Sequence, residues 1–144
     1  YKMRRVNITL LCFLLFTGCS TGTPSSTDVI DENGIYDQKD DVALYLITYE
    51  HLPSNYMTKD EARKLGWEGG ALSQVIEDKC IGGDVFGNYE GILPEEDTYY
   101  ECDIDTLGKT SRGAERIVWS DDFDVYYTED HYETFELLYE GGAQ

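Results

Sequence analysis

The chain divides into a region with helical periodicity followed by a region with strand periodicity. From Asp40 to His51, apolar residues recur at spacings of three and four, which predicts an amphipathic helix. Its apolar positions are Val42, Tyr45, Leu46, Tyr49 and Leu52. A second, short helix is predicted from Thr58, the N-cap of a capping box with Glu61, and it ends at Gly66. A third short helix is predicted over residues 70–76.

After Cys80 the apolar residues alternate with polar ones, as in half-buried strands. The first predicted strand contains Ile81 and Phe86, and its Gly82-Gly83 pair indicates a bulge. Further strands are predicted over residues 100–104, 116–120, 124–128 and 135–138. A run of helices followed by a run of strands predicts an α+β fold. We expect N-terminal helices, then a five-stranded antiparallel β-sheet with the first helix packed on one face.

The N-terminus has the pattern of a targeting segment. Three basic residues precede an apolar run over residues 8–16, which is too short to span a bilayer, and small residues follow. This predicts a signal peptide over residues 1–18 and an exported, extracellular protein. The ending Thr17-Gly18-Cys19 is similar to a bacterial lipobox, which would make Cys19 a lipidated anchor on the outer face of the membrane. An ordinary signal peptide is the alternative.

The remaining sequence predicts one domain behind a linker. Residues 19–34 are rich in Ser, Thr, Gly and Asp without apolar periodicity, as expected of a flexible tether. Residues 35–144 then form one folded domain. A chain of 144 residues with 41% hydrophobic residues can bury an ordinary core.

Charge and cysteine content limit the candidate partners. The chain has 11 basic and 29 acidic residues, a net charge of -18, which argues against binding nucleic acid by bulk electrostatics. Outside the leader and the lipobox, Cys80 and Cys102 remain, and they form either a disulfide or two small buried side chains. The sequence has no CxxC motif and no Cys/His spacing suited to zinc.

A series of short motifs extends from about Asp41 to Leu138, and their order and spacing are more specific than any one of them. They are Asp41-Val42-Ala43, Tyr45-Leu46, Leu52-Pro53, Asn55-Tyr56, Thr58-Lys59, Glu61-Ala62, Leu65-Gly66-Trp67, Ile81-Gly82-Gly83-Asp84, Phe86, Asn88, Glu90-Gly91, Leu93-Pro94, Arg112, Arg116-Ile117, Ser120, Thr128, Asp130-His131-Tyr132 and Thr134-Phe135. In this order and spacing the chain resembles the barnase/binase family of bacterial extracellular ribonucleases.

The resemblance implies a cleavage of RNA through a 2′,3′-cyclic phosphate that needs no metal and no other cofactor. Glu101 would be the general base that takes the proton of the ribose 2′-hydroxyl, and His131 the general acid for the leaving 5′-oxygen. Lys59, Arg112 and Arg116 would bind the phosphate. From its alternation alone, Glu101 fits an exposed position on a strand equally well. His51 lies at a helix end, where it would compensate the helix dipole.

The family's guanine preference implies a base site in the loop that follows the first strand. That loop is Phe86, Gly87, Asn88, Tyr89 and Glu90. Glu90 would accept hydrogen bonds from the guanine edge, and Phe86 and Tyr132 would stack on the base. Asp84, at the end of the strand, would orient neighbouring cations.

The chain departs from the family at several points. Tyr89 and Ile92 stand where the family usually has Arg and Lys, and the acidic charge contrasts with typically basic relatives. We therefore expect a monomer that captures long RNA slowly and meets a barstar-like inhibitor, if any, through an altered surface. The alternatives are a non-catalytic binding module that uses the acidic surface, and a toxin-type ribonuclease acting on competing cells.

Overall fold

The computed structural model describes residues 29–141 as two short helices and a sheet. The predicted leader and Cys19 lie outside these residues. The elements in order are α1 (Lys39–Tyr49), β1 (Tyr56–Met57), α2 (Lys59–Lys64), a 3₁₀ turn (Leu72–Gln74), β2 (Cys80–Phe86), β3 (Tyr99–Asp103), β4 (Arg116–Ser120), β5 (Val125–Thr128) and β6 (Glu136–Tyr139). The predicted α+β class is confirmed.

Helix α1 is the main support of the sheet. Its buried residues are Val42, Ala43, Tyr45 and Leu46, which lie on the face that the periodicity indicated. Asp40 and Asp41 lie in the first turn, where negative charge interacts favourably with the helix dipole. The helix ends two residues earlier than predicted, because Glu50 takes a left-handed conformation with φ of 63°.

The segment after α1 contains the predicted capping box. The Thr58 hydroxyl accepts a hydrogen bond from the Glu61 amide, and the Glu61 carboxylate accepts one from the Thr58 amide. These two bonds satisfy amides that the first turn of α2 leaves free. The predicted third helix is a single 3₁₀ turn, Leu72–Gln74.

Within residues 29–141 the sheet has six strands in sequence order, one more than predicted. The additional strand is β1, which pairs in parallel with β2, whereas every later pair is antiparallel. It contains only Tyr56 and Met57, both half-buried, so it has no alternation that a pattern could detect. The expected five-stranded antiparallel sheet is corrected to a mixed sheet with one short parallel edge.

A bulge in β2 determines which side chains face the site. Gly82 lies opposite Cys102, but Asp84 lies opposite Glu101, so two residues of β2 match one of β3. Gly83 allows this with a φ of 104°, and a β-carbon on Gly82 would lie 2.6 Å from Cys102. The bulge changes the parity of the strand and brings Asp84 to the face that carries Glu101.

The two faces of the sheet pack into different hydrophobic clusters. On one face, Cys102, Ile117 and Trp119 pack against α1 in the larger core cluster. On the opposite face a smaller cluster, around Tyr99 and Val118, supports the site described below. Cys80 and Cys102 are both buried and unbonded, and burial raises the pKa of the Cys80 thiol to about 11. Of the two alternatives left open by the sequence, the structure has buried thiols.

The packed part of the chain includes residues ahead of Ile35. Ile30 is buried, its carbonyl accepts a hydrogen bond from the Tyr49 hydroxyl, and the carbonyl of Glu32 accepts one from the Tyr45 hydroxyl at 2.6 Å. The end of the segment predicted as a tether thus packs against α1. Among residues 29–141, no helix is both long and apolar enough to cross a membrane.

Candidate active site

Two of the predicted catalytic residues, Glu101 and Arg116, lie on the sheet face that α1 leaves open. Because side chains alternate along a strand, Glu101 and Asp103 of β3 face away from α1 while Cys102 faces it. Across the sheet, Glu101 lies opposite Asp84 and Asp103 lies opposite Arg116. One face therefore combines three carboxylates with a guanidinium group.

Glu101, the predicted general base, is held by a tyrosine. Its Oε1 accepts a hydrogen bond from the hydroxyl of Tyr132, a residue far away in the sequence. Burial, together with this bond to Glu101, raises the pKa of Tyr132 above its ordinary value, so the phenol remains protonated and donates. Glu101 is half-buried rather than a fully solvated residue, which favours its functional interpretation.

The two predicted phosphate-binding arginines share one buried carboxylate. Arg112 donates from Nε and Nη2 to the two oxygens of Asp103, both at 2.8 Å, and this pairing raises the pKa of Arg112. Arg116 has its Nε 3.2 Å from Asp103 Oδ1, and its Nη1 donates to the carbonyls of Arg112, Gly113 and Glu115. Two guanidinium groups against one carboxylate leave net positive charge beside Glu101.

The side chains of Asp103, Arg112 and Arg116 form a cluster, and they are buried to different extents. Asp103 and Arg116 are almost fully buried, at 1% and 3% exposed, whereas Arg112 keeps 22% of its side chain exposed. The carboxylate thus fixes both guanidinium groups in position before any ligand arrives. Sequence reasoning missed Asp103, although its alternation with Glu101 placed both on one face.

Asp84 and Lys59 lie side by side at the edge of this face. The Asp84 carboxylate accepts a hydrogen bond from the backbone amide of Lys59 at 3.1 Å, which fixes the start of α2 against β2. Asp84 was predicted to orient neighbouring cations. The structure shows it holding the main chain of Lys59, and this contact brings that lysine to the strand that pairs with β3.

His131, the predicted general acid, lies in a strained turn between β5 and β6. His131 and Tyr132 both have left-handed backbones, with φ of 58° and 79°, which is uncommon for residues other than glycine. The His131 amide donates to the carbonyl of Ala114 at 3.0 Å, and this bond ties the turn to the loop before β4. The imidazole is exposed, and its ring centre lies 4.7 Å from that of Tyr132.

Asp130 organises the turn. Its carboxylate accepts hydrogen bonds from the Thr128 hydroxyl, the Glu133 amide, and the amide and hydroxyl of Thr134. The bonds from Thr134 contribute most to lowering the pKa of Asp130 from 3.8 to about 2. Sequence reasoning used Asp130 only as part of a motif and missed this role.

We expect Asp130→Ala to destabilise the fold in a pH-dependent way. Because the carboxyl pKa is lower in the folded than in the unfolded chain, its contribution is fully present above about pH 4 and is lost as the pH falls toward 2. Urea unfolding from pH 2 to 7 should show a gap between wild type and variant that closes toward pH 2. Asp60→Ala, which removes an exposed aspartate paired with Arg63, is the control and should show almost no gap. A gap independent of pH would contradict the expectation.

The predicted base-binding loop borders a cavity of about 250 Å³ beside the His131 turn. The lining residues are Phe86, Asn88, Tyr89, Glu90, Ile92, His131, Tyr132 and Phe135. Asn88 makes the loop rigid, because its side chain bonds both the amide and the carbonyl of Leu93. Glu90 is exposed at the cavity, and Tyr89 is 98% exposed.

The structure thus brings most of the predicted residues into one site. Tyr132 connects its two halves, because its hydroxyl bonds Glu101 and its ring stacks on Phe86 in the base-binding loop. His51 is not part of this site, because it follows α1 and its ring contacts the Glu32 carboxylate. Tyr132 also lies beside the His131 ring and the Arg116 guanidinium group, so it contacts a carboxylate, an imidazole and a fixed arginine, which are the kinds of group needed for acid–base chemistry on a phosphodiester.

Comparison with known proteins agrees with this arrangement. A family model described as ribonuclease matches residues 40–139. A ribonuclease from Bacillus intermedius is 44% identical over 122 residues, which cover 82% of this chain and 75% of the relative. One from Heyndrickxia coagulans is 49% identical over 103 residues, covering 69% and 94%. Guanyl-specific ribonuclease St of Saccharopolyspora erythraea is 49% identical over 57 residues, covering 38% and 56%. The chain therefore belongs to the barnase/binase family of bacterial ribonucleases and is an endoribonuclease.

Proposed function

We propose that this endoribonuclease cleaves single-stranded RNA 3′ of guanosine, without a metal ion, through a 2′,3′-cyclic phosphate. The observation that carries the proposal is the common neighbourhood of Glu101 and His131. Tyr132 contacts both, through its hydroxyl and its ring, and the base-binding loop lies against the same tyrosine. The proposed base, the proposed acid and the base-binding loop thus all contact one tyrosine.

The chemical steps follow from the two titratable groups. The Glu101 carboxylate takes the proton from the ribose 2′-hydroxyl, and the 2′-oxygen then attacks the adjacent phosphorus. His131 gives its proton to the 5′-oxygen as the phosphorus–oxygen bond breaks, so a cyclic phosphate and a free 5′-hydroxyl form. In the hydrolysis of the cyclic phosphate, His131 takes a proton from water and Glu101 returns one to the 2′-oxygen.

The phosphate would be held by the fixed cations. Negative charge grows on the non-bridging oxygens during the attack, and guanidinium groups fixed in advance stabilise it without reorganising. Arg112 and Arg116 meet this requirement because Asp103 and three backbone carbonyls already orient them. Lys59 would add a third positive charge from the start of α2.

Guanine preference is supported by the base-binding loop. Guanine presents two neighbouring donors, N1–H and the exocyclic amine, and the exposed Glu90 carboxylate at the cavity can accept from both. Asn88 uses its side chain to hold Leu93, so its part is to shape the loop and to present backbone groups. A guanyl-specific relative supports the same preference.

We also propose where the enzyme is located and how its charge affects the capture of RNA. The basic and apolar residues of positions 1–18 support export, and Cys19 supports a lipid anchor on the outer face of a bacterial membrane. Removal of Lys2, Arg4 and Arg5 would change the net charge from -18 to -21. A protein of this charge repels RNA at long range, so we propose slow capture of RNA by a monomer whose barstar-like inhibitor would meet Tyr89 and Ile92 instead of cations.

The test is cleavage of total RNA and of the dinucleotides GpC and ApC by purified protein in EDTA. We expect a guanosine 2′,3′-cyclic phosphate product and faster cleavage of GpC than of ApC. Glu90→Gln, which keeps the shape but not the charge, should reduce the preference about ten- to hundredfold while leaving ApC cleavage nearly unchanged. Loss of cleavage in EDTA would contradict metal independence, and failure on every substrate would favour the non-catalytic binding module.

A further inference from the structure

One face of Phe86 in the predicted base-binding loop is covered by the protein's own Tyr132. The ring of Tyr132 stacks on Phe86 with ring centres 4.8 Å apart and an interplanar angle of 28°. Carbon atoms in contact lie about 3.5–4.0 Å apart, so a base between two rings would need them about 7–8 Å apart. The observed contact leaves no room for a base on this face of Phe86.

The same tyrosine engages the general base. Its hydroxyl donates to Glu101, so the carboxylate that would take the 2′-hydroxyl proton is already bonded to a donor within the protein. The guanidinium carbon of Arg116 lies 6.0 Å from the centre of the Tyr132 ring, on the phosphate-binding side. Tyr132 therefore contacts Phe86 of the base-binding loop, the proposed general base Glu101 and the proposed phosphate-binding residue Arg116 at once.

The turn holds Tyr132 in this position. Its left-handed backbone is supported by the amide hydrogen bond to the Thr128 hydroxyl at 3.0 Å, and that hydroxyl in turn bonds Asp130. The side chain reaches the site from outside the sheet, so it can leave without any change in β2 or β3. In leaving, it would give up the stacking on Phe86, the bond to Glu101, the contact with Arg116 and its packing on the cluster around Tyr99 and Val118.

We propose that Tyr132 is a gate that keeps Glu101 covered until a guanine base displaces its ring from Phe86. This inference rests on the proposed function of the site. Occupation of Phe86 by the base and release of the Glu101 carboxylate become one event, so the base catalyst is freed only when a nucleotide is in place. The observed affinity for a base is the intrinsic affinity multiplied by the small fraction of molecules with the gate open.

The experiment measures binding of guanosine by NMR titration of the full chain. Guanosine has no phosphate, so its affinity does not depend on any contact between a phosphate and the tyrosine hydroxyl. Tyr132→Phe keeps the ring but removes the charge-assisted bond that closes the gate, and we expect guanosine to bind about three- to tenfold more tightly. Glu101→Gln weakens the same bond from the other side and should change affinity in the same direction.

A matched control is Tyr127→Phe. Tyr127 also donates a hydrogen bond to a glutamate, Glu115 Oε1 at 2.7 Å, but it packs on the α1 side of the sheet. Its substitution should leave guanosine affinity unchanged. The nuclear Overhauser contacts between the rings of Tyr132 and Phe86 supply a second readout, and guanosine should abolish them in the wild type.

The outcomes separate the gate from the proposed function. If guanosine binds with equal affinity to the wild type and to Tyr132→Phe, and the contacts between the two rings persist in the complex, the gate is wrong while the ribonuclease site stands. If guanosine fails to bind and GpC is not cleaved, the proposed function is wrong and the gate with it. Tighter binding in Tyr132→Phe, with loss of the ring contacts on adding guanosine to the wild type, supports the gate.

Discussion

Glu101→Gln and His131→Ala are each expected to lower kcat/KM for GpC cleavage by about 10²–10⁴-fold. Each substitution removes one of the two groups proposed to transfer protons, while Arg112 and Arg116 keep their ion pairs with Asp103 and would still bind the phosphate. The loss should appear mainly in kcat, because neither side chain contributes to stacking on the base. The measurement is steady-state cleavage of GpC across the pH range in which carboxylates and imidazoles titrate.

The leaving group distinguishes the two roles. 4-Nitrophenolate leaves without a proton, so a guanosine 3′-(4-nitrophenyl phosphate) needs a base but no acid. His131→Ala should recover most of its lost rate on this substrate, and Glu101→Gln should not. Equal recovery by both variants would contradict the assignment of base and acid.

The chain supplies its own control for the histidine. His51 is the other histidine, exposed and in contact with Glu32 at 3.3 Å on the opposite side of the fold from the predicted phosphate-binding arginines. His51→Ala should leave the cleavage of both substrates within about twofold of wild type, because exposed residues away from a site have small effects. A comparable loss in His51→Ala and His131→Ala would overturn the assignment of the general acid.

Asp103→Ala is expected to lower the free energy of unfolding by about 3–5 kcal/mol. The substitution leaves the guanidinium group of Arg116 buried, at 3% exposed, without the carboxylate that balances its charge. Arg112 also loses its two hydrogen bonds to Asp103 and becomes free to move. The measurement is urea unfolding at neutral pH, together with GpC cleavage under conditions in which the variant remains folded.

Asp105 offers a matched control two residues along the chain. It also pairs with a cation, Lys109 Nζ at 3.1 Å, but both side chains are well exposed, at 39% and 52%. Asp105→Asn, which keeps a residue suited to the left-handed backbone of this position (φ of 63°), should therefore cost about 0–1 kcal/mol, since water and ions already screen the pair. If the Asp103 and Asp105 substitutions lower the free energy of unfolding equally, burial is not the reason why the ion pairs of Asp103 stabilise the fold.

The sequence by itself predicted the two helices and five of the six strands described, and it supplied the candidate site residues, but it missed β1 and predicted a third helix where the structure has a 3₁₀ turn. The positions of α1 and the capping box follow from interactions between residues three and four apart, and the strands from alternation, so local patterns are sufficient. Glu101, His131, Arg112 and Arg116 were proposed as site residues because they match positions of the family's pattern. That pattern named the residues, but it did not show which of their side chains would touch.

Only the tertiary structure decided the features that depend on distant partners. The two residues of β1 are a strand only because β2 lies beside them, and the thiols of Cys80 and Cys102 remain free because of where the strands place them. The burial of Asp103 between two arginines and the stacking of Tyr132 on Phe86 likewise join separate segments. Such contacts are set by packing across the sheet, and a pattern along the chain carries no information about which groups meet there.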